Sequence, residues 1–215
     1  VSAACLARDG HEVIGVDPSV KMLALAEGKR TDPRVRYVKA PAESVPLPDN
    51  SIDLIFVSVS FHHFNDRERA TRECRRILRD DGFVFMRTAT REHVRSCAYV
   101  SFFPSTLAIM SATMQSDVEI RELFWNAGFR LVDQRTIVQQ TTSGFGPYAD
   151  KLKALGDSIL VQISSEELER GIASMRALAG TADDRPIEEP VDILVFAPRN
   201  DHQGQGTHPL TQRRV

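Results

Sequence analysis

Read from its first residues, the chain alternates short amphipathic stretches with short apolar runs, a helix–strand rhythm that persists over most of its length. Ser2 to Gly10 predicts a small-residue helix closed by glycine, feeding directly into a strand over His11–Asp17. Ser19–Lys29 carries Met22, Leu23 and Ala26 among charged positions, which predicts an amphipathic helix, and Val35–Val38 is a second strand. Pro41, Pro46 and Pro48 punctuate the loop that follows. Ser51–Val57 is a third strand, nearly all apolar in its second half, as expected of a sheet covered on both faces. Asp66–Leu78 predicts a helix buried along Ala70, Cys74, Ile77 and Leu78, then a turn at Asp80–Gly82 and a strand over Phe83–Met86.

The rhythm weakens between Thr88 and Thr113, around Phe102-Phe103-Pro104, which marks an insertion where a substrate pocket could form above the strand ends. Ser116 to Glu119 is a capping box that opens a helix with Ile120, Leu123 and Phe124 on one face and Gly128 as terminator. Phe129–Val138 is another strand, and polar Gln139–Ser143 leads out of it. Tyr148–Ala179 reads helical with a second capping box at Ser164 to Glu167, and Val191–Phe196 is the last strand. The expected fold is α/β: a doubly wound, mostly parallel Rossmann-like sheet with helices on both faces. It spans 1–198, with 88–113 and 148–179 as substrate-cap regions and 199–215 as a disordered tail.

At 215 residues the chain is the length of one domain, and a net charge of −2 gives no global positive field, so nucleic acid is not an expected partner. Cys5, Cys74 and Cys97 are scattered and lack metal-ligand spacing, which predicts no metal site and a reducing, cytoplasmic compartment. No apolar run reaches the ~18 residues of a membrane span. A homodimer is compatible with this composition.

Asp17 closes the first strand just before Pro18 and a helix. An acid at the carboxyl end of a strand can accept both hydroxyls of a ribose, because a carboxylate offers acceptors only; it can equally cap the helix that follows. His62 and His63 follow the third strand, where an imidazole could take a proton from a hydroxyl or carbon acid or simply occupy a polar turn. Ser58 ends the same strand and is either a cofactor contact or small-residue packing. Phe102, Phe103, Trp125 and Tyr148 are candidate pocket-lining aromatics, with Trp125 better placed for the core. Arg87, Arg91, His93 and Arg95 form a local basic patch that could meet an acidic substrate, although a solvated loop explains it more simply.

Four blocks in order resemble the class I S-adenosylmethionine-dependent methyltransferases of the ubiquinone/menaquinone biosynthesis type. They are Glu12-Val-Ile-Gly-Val-Asp-Pro-Ser19 with Lys21-Met-Leu23, Ala42 to Leu54, Phe61-His-His-Phe64, and Arg76-Ile-Leu-Arg-Asp-Asp-Gly82, together covering about Ser2 to Phe85. The resemblance implies transfer of a methyl group from S-adenosyl-L-methionine to an oxygen, nitrogen or carbon nucleophile of a small molecule. It implies that Asp17 and Pro18 hold the ribose side, that Ala42 and Glu43 border adenine and that Ser58 lies near the amino-acid end, with His62 and His63 in the acceptor region. Two departures stand out. The family opens with a strand and an Asp-x-Gly-x-Gly-x-Gly turn, and no residue before Val1 supplies them here, so the expectation is a chain entered part-way that binds cofactor poorly as written. Pro41 stands where many relatives carry an adenine-binding acid. Two other readings fit the same strand–acid–helix unit. One is a nicotinamide-dependent oxidoreductase, for which no tyrosine–lysine pair is evident; the other is a degenerate domain that supports a partner or a dimer.

Overall fold

A computed structural model describes residues 3–155 and 158–199. The element order is α1 (Ala3–Arg8), β1 (Val13–Asp17), α2 (Val20–Glu27), β2 (Val35–Lys39), β3 (Ile52–Ser58), α3 (Arg67–Ile77), β4 (Leu78–Thr88), α4 (Ser105–Thr113), α5 (Asp117–Asn126), β5 (Phe129–Thr142), α6 (Phe145–Leu155), α7 (Ser165–Leu178) and β6 (Ile187–Pro198). The tail expected after Pro198 lies outside the described residues apart from Arg199, whose amide donates to the Gly128 carbonyl at 2.8 Å.

Two sheets form. β1 and β2 pair in parallel, and the second sheet has the order β3-β4-β6-β5. Only β3 and β4 are parallel in the larger sheet; β6 runs antiparallel to both β4 and β5. The expectation of a mostly parallel sheet is therefore corrected to a mixed one. The cause is topological: the helices between β5 and β6 return the chain to the edge it left, so β6 enters the slot between β4 and β5 in the reverse direction. An apolar run such as Ile193–Phe196 looks the same for either direction.

The turn expected at Asp80–Gly82 is a bulge inside β4. Ile52 faces Leu78 and Leu54 faces Phe83, so the residues between Leu78 and Phe83 loop out of register. Glycine is required there because a Cβ on Gly82 would lie 2.7 Å from the Asp53 carbonyl oxygen. β5 is also longer than expected and takes in polar Gln139 to Thr142, which pair with the start of β6.

Two apolar cores result. The first joins the larger sheet to α3 and α5 through Leu78, Val84, Met86, Phe124, Phe129 and Phe196. Its centre is the stacked pair Phe124 and Phe196, with ring centroids 4.1 Å apart and planes 6° from parallel. The second core gathers Val94, Phe103, Met110, Tyr148 and Met175 from the 3-10 segment Arg91–Ser96, the loop before α4, and α4, α6 and α7. It forms a cap built from the two regions, 88–113 and 148–179, in which the rhythm departs from the strand–helix alternation.

The two capping boxes behave differently. At α5, Ser116 accepts the Glu119 amide and Glu119 returns to the Ser116 amide, a reciprocal box. At α7, Ser164 accepts the Glu167 amide, but the Glu167 carboxylate accepts the Ser105 amide at 2.9 Å instead. That acid satisfies the first turn of α4 and so ties two cap helices together.

Candidate active site

Asp17 ends β1 opposite Lys39 of β2. Its Oδ1 accepts the Ser19 amide at 2.7 Å, while Ser19 itself is the N-cap of α2, accepting the Met22 amide. The capping role weighed for Asp17 is thus carried by Ser19. Asp17 is half-buried, and its Oδ2 takes no hydrogen bond among the described residues. One oxygen fixes the carboxylate, and the other keeps its acceptor capacity among the described residues. Pro18 is exposed beside it.

The loop from Ala40 to Ser51 is held in place by α3. The Glu73 carboxylate accepts the Val45 amide at 2.6 Å, and the Arg76 guanidinium donates to the carbonyls of Val45 (2.9 Å) and Leu47 (2.8 Å) and to Asp49. Arg76 also pairs with Glu73, and that contact, aided by the Val45 amide, holds the Glu73 carboxyl below the usual carboxylate range against the opposing effect of burial. Glu43 belongs to the same scaffold. Its carboxylate accepts the Asp66 amide at 3.0 Å and its carbonyl accepts from Arg69. Ala42 is half-buried next to it and Pro41 is exposed.

Ser58 ends β3 opposite Arg87 of β4. The next residue, Val59, has φ +50°, a left-handed conformation that a β-branched side chain adopts only at a cost of about 1–2 kcal/mol. Its amide donates to the Arg87 carbonyl at 2.8 Å, which keeps this strained corner on the sheet. The chain then forms a 3-10 turn over Phe61–His63. Phe61 anchors the turn in the sheet core, 6.0 Å from Phe124 centroid to centroid. His62 is half-buried with its carbonyl bonded to Arg67, His63 is exposed, and the two rings lie 3.9 Å apart.

The aromatic candidates separate. Phe103 and Tyr148 are buried in the cap core, so they pack the cap and do not line an open pocket. Phe102 is half-buried against Phe145, and Trp125 is half-buried with the Arg199 guanidinium 4.0 Å above its ring. The basic patch is likewise divided: Arg87 donates to Gln139, Arg91 pairs with Glu119, and His93 meets Asp192.

Two acids on β6 escaped the sequence reading. Asp192, 3% exposed, accepts the hydroxyls of Thr90 and Thr136 and faces His93. Glu189 accepts from the Tyr148 hydroxyl at 2.7 Å and from Thr141, and lies 3.5 Å from Cys97 Sγ. Burial, reinforced by the Glu189 charge, pushes the Cys97 thiol up to about 12 and raises the Tyr148 phenol as well. The only sequence signal for either acid was its place beside an otherwise apolar final strand.

Residues 1–86 match the family described as "Methyltransferase domain". The match covers 86 of the 215 residues. Over this part the chain is similar to the uncharacterized methyltransferase YcgJ of Bacillus subtilis, with 39% identity over 75 residues covering 34% of this chain and 30% of the relative. It is also similar to the demethylmenaquinone methyltransferase of Thermotoga maritima, with 41% identity over 71 residues covering 33% of this chain and 30% of the relative. The matches thus span under a third of the length of these curated relatives. The fold extends further. A structure described as a methyltransferase from an antibiotic biosynthesis pathway of Anabaena variabilis aligns over 91% of this chain and 85% of its own, with TM-score 0.74 and 19% identity. The structure of B. subtilis YcgJ aligns over 88% of this chain and 84% of its own, with TM-score 0.58 and 21% identity.

The Asp17 oxygen that takes no hydrogen bond among the described residues offers the acceptor chemistry that a vicinal diol, such as the ribose of S-adenosyl-L-methionine, requires. No glycine-rich strand–turn–helix that would receive its methionine end occurs among the described residues.

Proposed function

We propose that this chain belongs to an enzyme that transfers a methyl group from S-adenosyl-L-methionine to an oxygen, nitrogen or carbon nucleophile of a small molecule. The observation that carries this reading is the divided Asp17 carboxylate, one oxygen tied to the Ser19 amide and the other free at the strand's carboxyl end. Asp17 accepts the ribose hydroxyls through that free oxygen, with Pro18 beside it. Ala42 and Glu43, in the loop braced by α3, border adenine, and Ser58 lies toward the amino-acid end. Bound there, the cofactor supplies an electrophilic methyl on a sulfonium. The chain's own work is to hold the acceptor in line with it and to exclude water. His62 and His63, beyond the strained Val59 corner, stand on the acceptor side, and the cap of α4, α6 and α7 selects the acceptor.

The reading includes a parallel strand and glycine-rich turn between β1 and β3. Support comes from the break between the two sheets and from apolar side chains left open beside it: Val16 (38% exposed), Leu54 (49%) and Val59 (46%). Unpaired strand edges with apolar neighbours are costly to leave in water. Reading the DNA immediately upstream of the Val1 codon tests this directly, because an in-frame strand followed by Asp-x-Gly-x-Gly-x-Gly is expected. If that DNA lacks one, the same open edges favour a domain completed by a partner's strand. Calorimetric titration of the full-length gene product with S-adenosylhomocysteine tests the enzyme reading itself, and an absence of binding would overturn it.

A further inference from the structure

The junction of cap and sheet holds a buried polar constellation that the cofactor assignment does not use. Asp192 on β6 pairs across the ladder with Thr88, the last residue of β4, one step from the Ser58–Arg87 pair. It therefore stands at the carboxyl edge of β4, about two strand spacings, or ~10 Å, from Ser58. The carboxylate is fully provided with donors. Oδ2 accepts the Thr90 hydroxyl at 2.6 Å, and Oδ1 accepts the Thr136 hydroxyl at 2.7 Å and faces His93 Nε2 at 3.2 Å. Because a carboxylate can only accept, this contact calls for the hydrogen on Nε2, the tautomer in which the ring's lone pair falls on Nδ1. Nδ1 makes no hydrogen bond among the described residues, and the His93 side chain is 28% exposed.

The surroundings leave that nitrogen uncontested. Arg91 is engaged by Glu119 and the Met114 carbonyl, and Glu92 accepts the Asp117 amide. Val94, the next residue, is 2% exposed in the cap core, so the turn that carries His93 is pinned on one side by packing and on the other by Asp192. A buried acid, an imidazole whose tautomer that acid favours and a second ring nitrogen on the 3-10 turn just after β4 make up the arrangement that general-base catalysis requires.

We propose that His93 is the general base that deprotonates a hydroxyl acceptor, with Asp192 as its positioning residue; this rests on the methyltransferase reading above. The acceptor O–H bond breaks and its proton passes to Nδ1 of His93. The oxygen keeps the electron pair and uses it to form the new O–CH3 bond, while the electrons of the broken S–CH3 bond remain on sulfur as S-adenosylhomocysteine leaves. Asp192 stabilises the imidazolium until its proton is returned to water. No oxidant or reductant is needed.

Two measurements on the full-length gene product test this. In the first, long-range proton–nitrogen NMR reads the His93 tautomer: a hydrogen on Nε2 is expected, and one on Nδ1 overturns the proposal. In the second, 4-nitrophenol is the probe, added with S-adenosylhomocysteine in a buffer below the probe's own pKa, and its phenolate absorbance is followed. Binding is expected to raise the phenolate fraction several-fold in the wild-type protein. His93→Gln, which can still donate to Asp192 and so preserves the fold, is expected to bind the probe but give no rise. Failure of the probe to bind, a bound probe that stays protonated, or a rise that survives in His93→Gln overturns the assignment. Binding of S-adenosylhomocysteine, recorded in the same samples, separates that failure from failure of the methyltransferase reading.

Discussion

The Glu73 carboxylate on α3 accepts the amide of Val45, 28 positions earlier in the chain, at 2.6 Å, and so fixes the loop proposed to border adenine to the helix that crosses from β3 to β4. The contact makes that loop sensitive to pH. Arg76 and the Val45 amide depress the Glu73 pKa in the folded state, so the stabilisation is present above the ordinary glutamate value and is lost as pH falls through the lowered folded value. Glu73→Gln should therefore cost about 1–2 kcal/mol at neutral pH, the partly solvated pair giving less than a buried one. The cost should shrink in acid, where wild-type Glu73 is itself protonated. Urea unfolding at pH 7 and at acid pH checks this, and an equal cost at both would contradict it.

Gly171 on α7 admits the Phe103 ring. A Cβ at this position would lie 2.0 Å from a ring carbon and 2.8 Å from the Phe102 carbonyl oxygen. Alanine favours a helix over glycine by about 1 kcal/mol, whereas overpacking a core costs about 1–3 kcal/mol. Since one obstacle is backbone, overpacking should win. Gly171→Ala is expected to lower stability, with the loss concentrated in amide-exchange protection of α4 and α7 while β3 and β4 stay protected.

In the sheet core, Phe124 stacks on Phe196 and meets Phe129 at 5.4 Å. Phe124→Ala should cost about 3–5 kcal/mol, from lost burial and the cavity left behind. Equilibrium denaturation measures it, and a cost under 1 kcal/mol would show that this stack is not the centre of the core.

Burial pushes the thiols of Cys74 and Cys97 up to about 12, with Glu73 and Glu189 respectively adding to the effect. A thiolate is the reactive form, so both should resist iodoacetamide at pH 8 in the folded protein and react once it is unfolded. Mass spectrometry of the alkylated peptides reads the result. Glu189→Gln should make Cys97 the more reactive of the two.

Local signals carried much of this architecture, and non-local ones carried the rest. The helix over Asp66–Leu78 is legible because its buried side, Ala70, Cys74 and Ile77, recurs at helical spacing and Asp66 caps it. The reciprocal box at Ser116 and Glu119 is equally local. The pattern at Ser164 and Glu167 looks identical in sequence, yet Glu167 turns to Ser105, 62 residues away, and no short-range rule reveals that choice. The same limit hides the reversed insertion of β6. The place of Asp17 at a strand's end was legible, whereas the partnership of His93 with Asp192 spans 99 residues. A lone histidine among arginines reads as surface until the fold brings the acid beneath it.

The central claim is that Asp17 binds a ribose through the oxygen that Ser19 leaves free. Asp17→Asn isolates it, because the amide's carbonyl can still accept from Ser19 while an NH2 replaces the ligand-facing acceptor. Titration calorimetry of the full-length gene product with S-adenosylhomocysteine should show affinity falling about 10- to 100-fold in Asp17→Asn, as expected for losing hydrogen bonds to a charged group, with the melting temperature unchanged. Equal affinity in the two proteins would contradict the account.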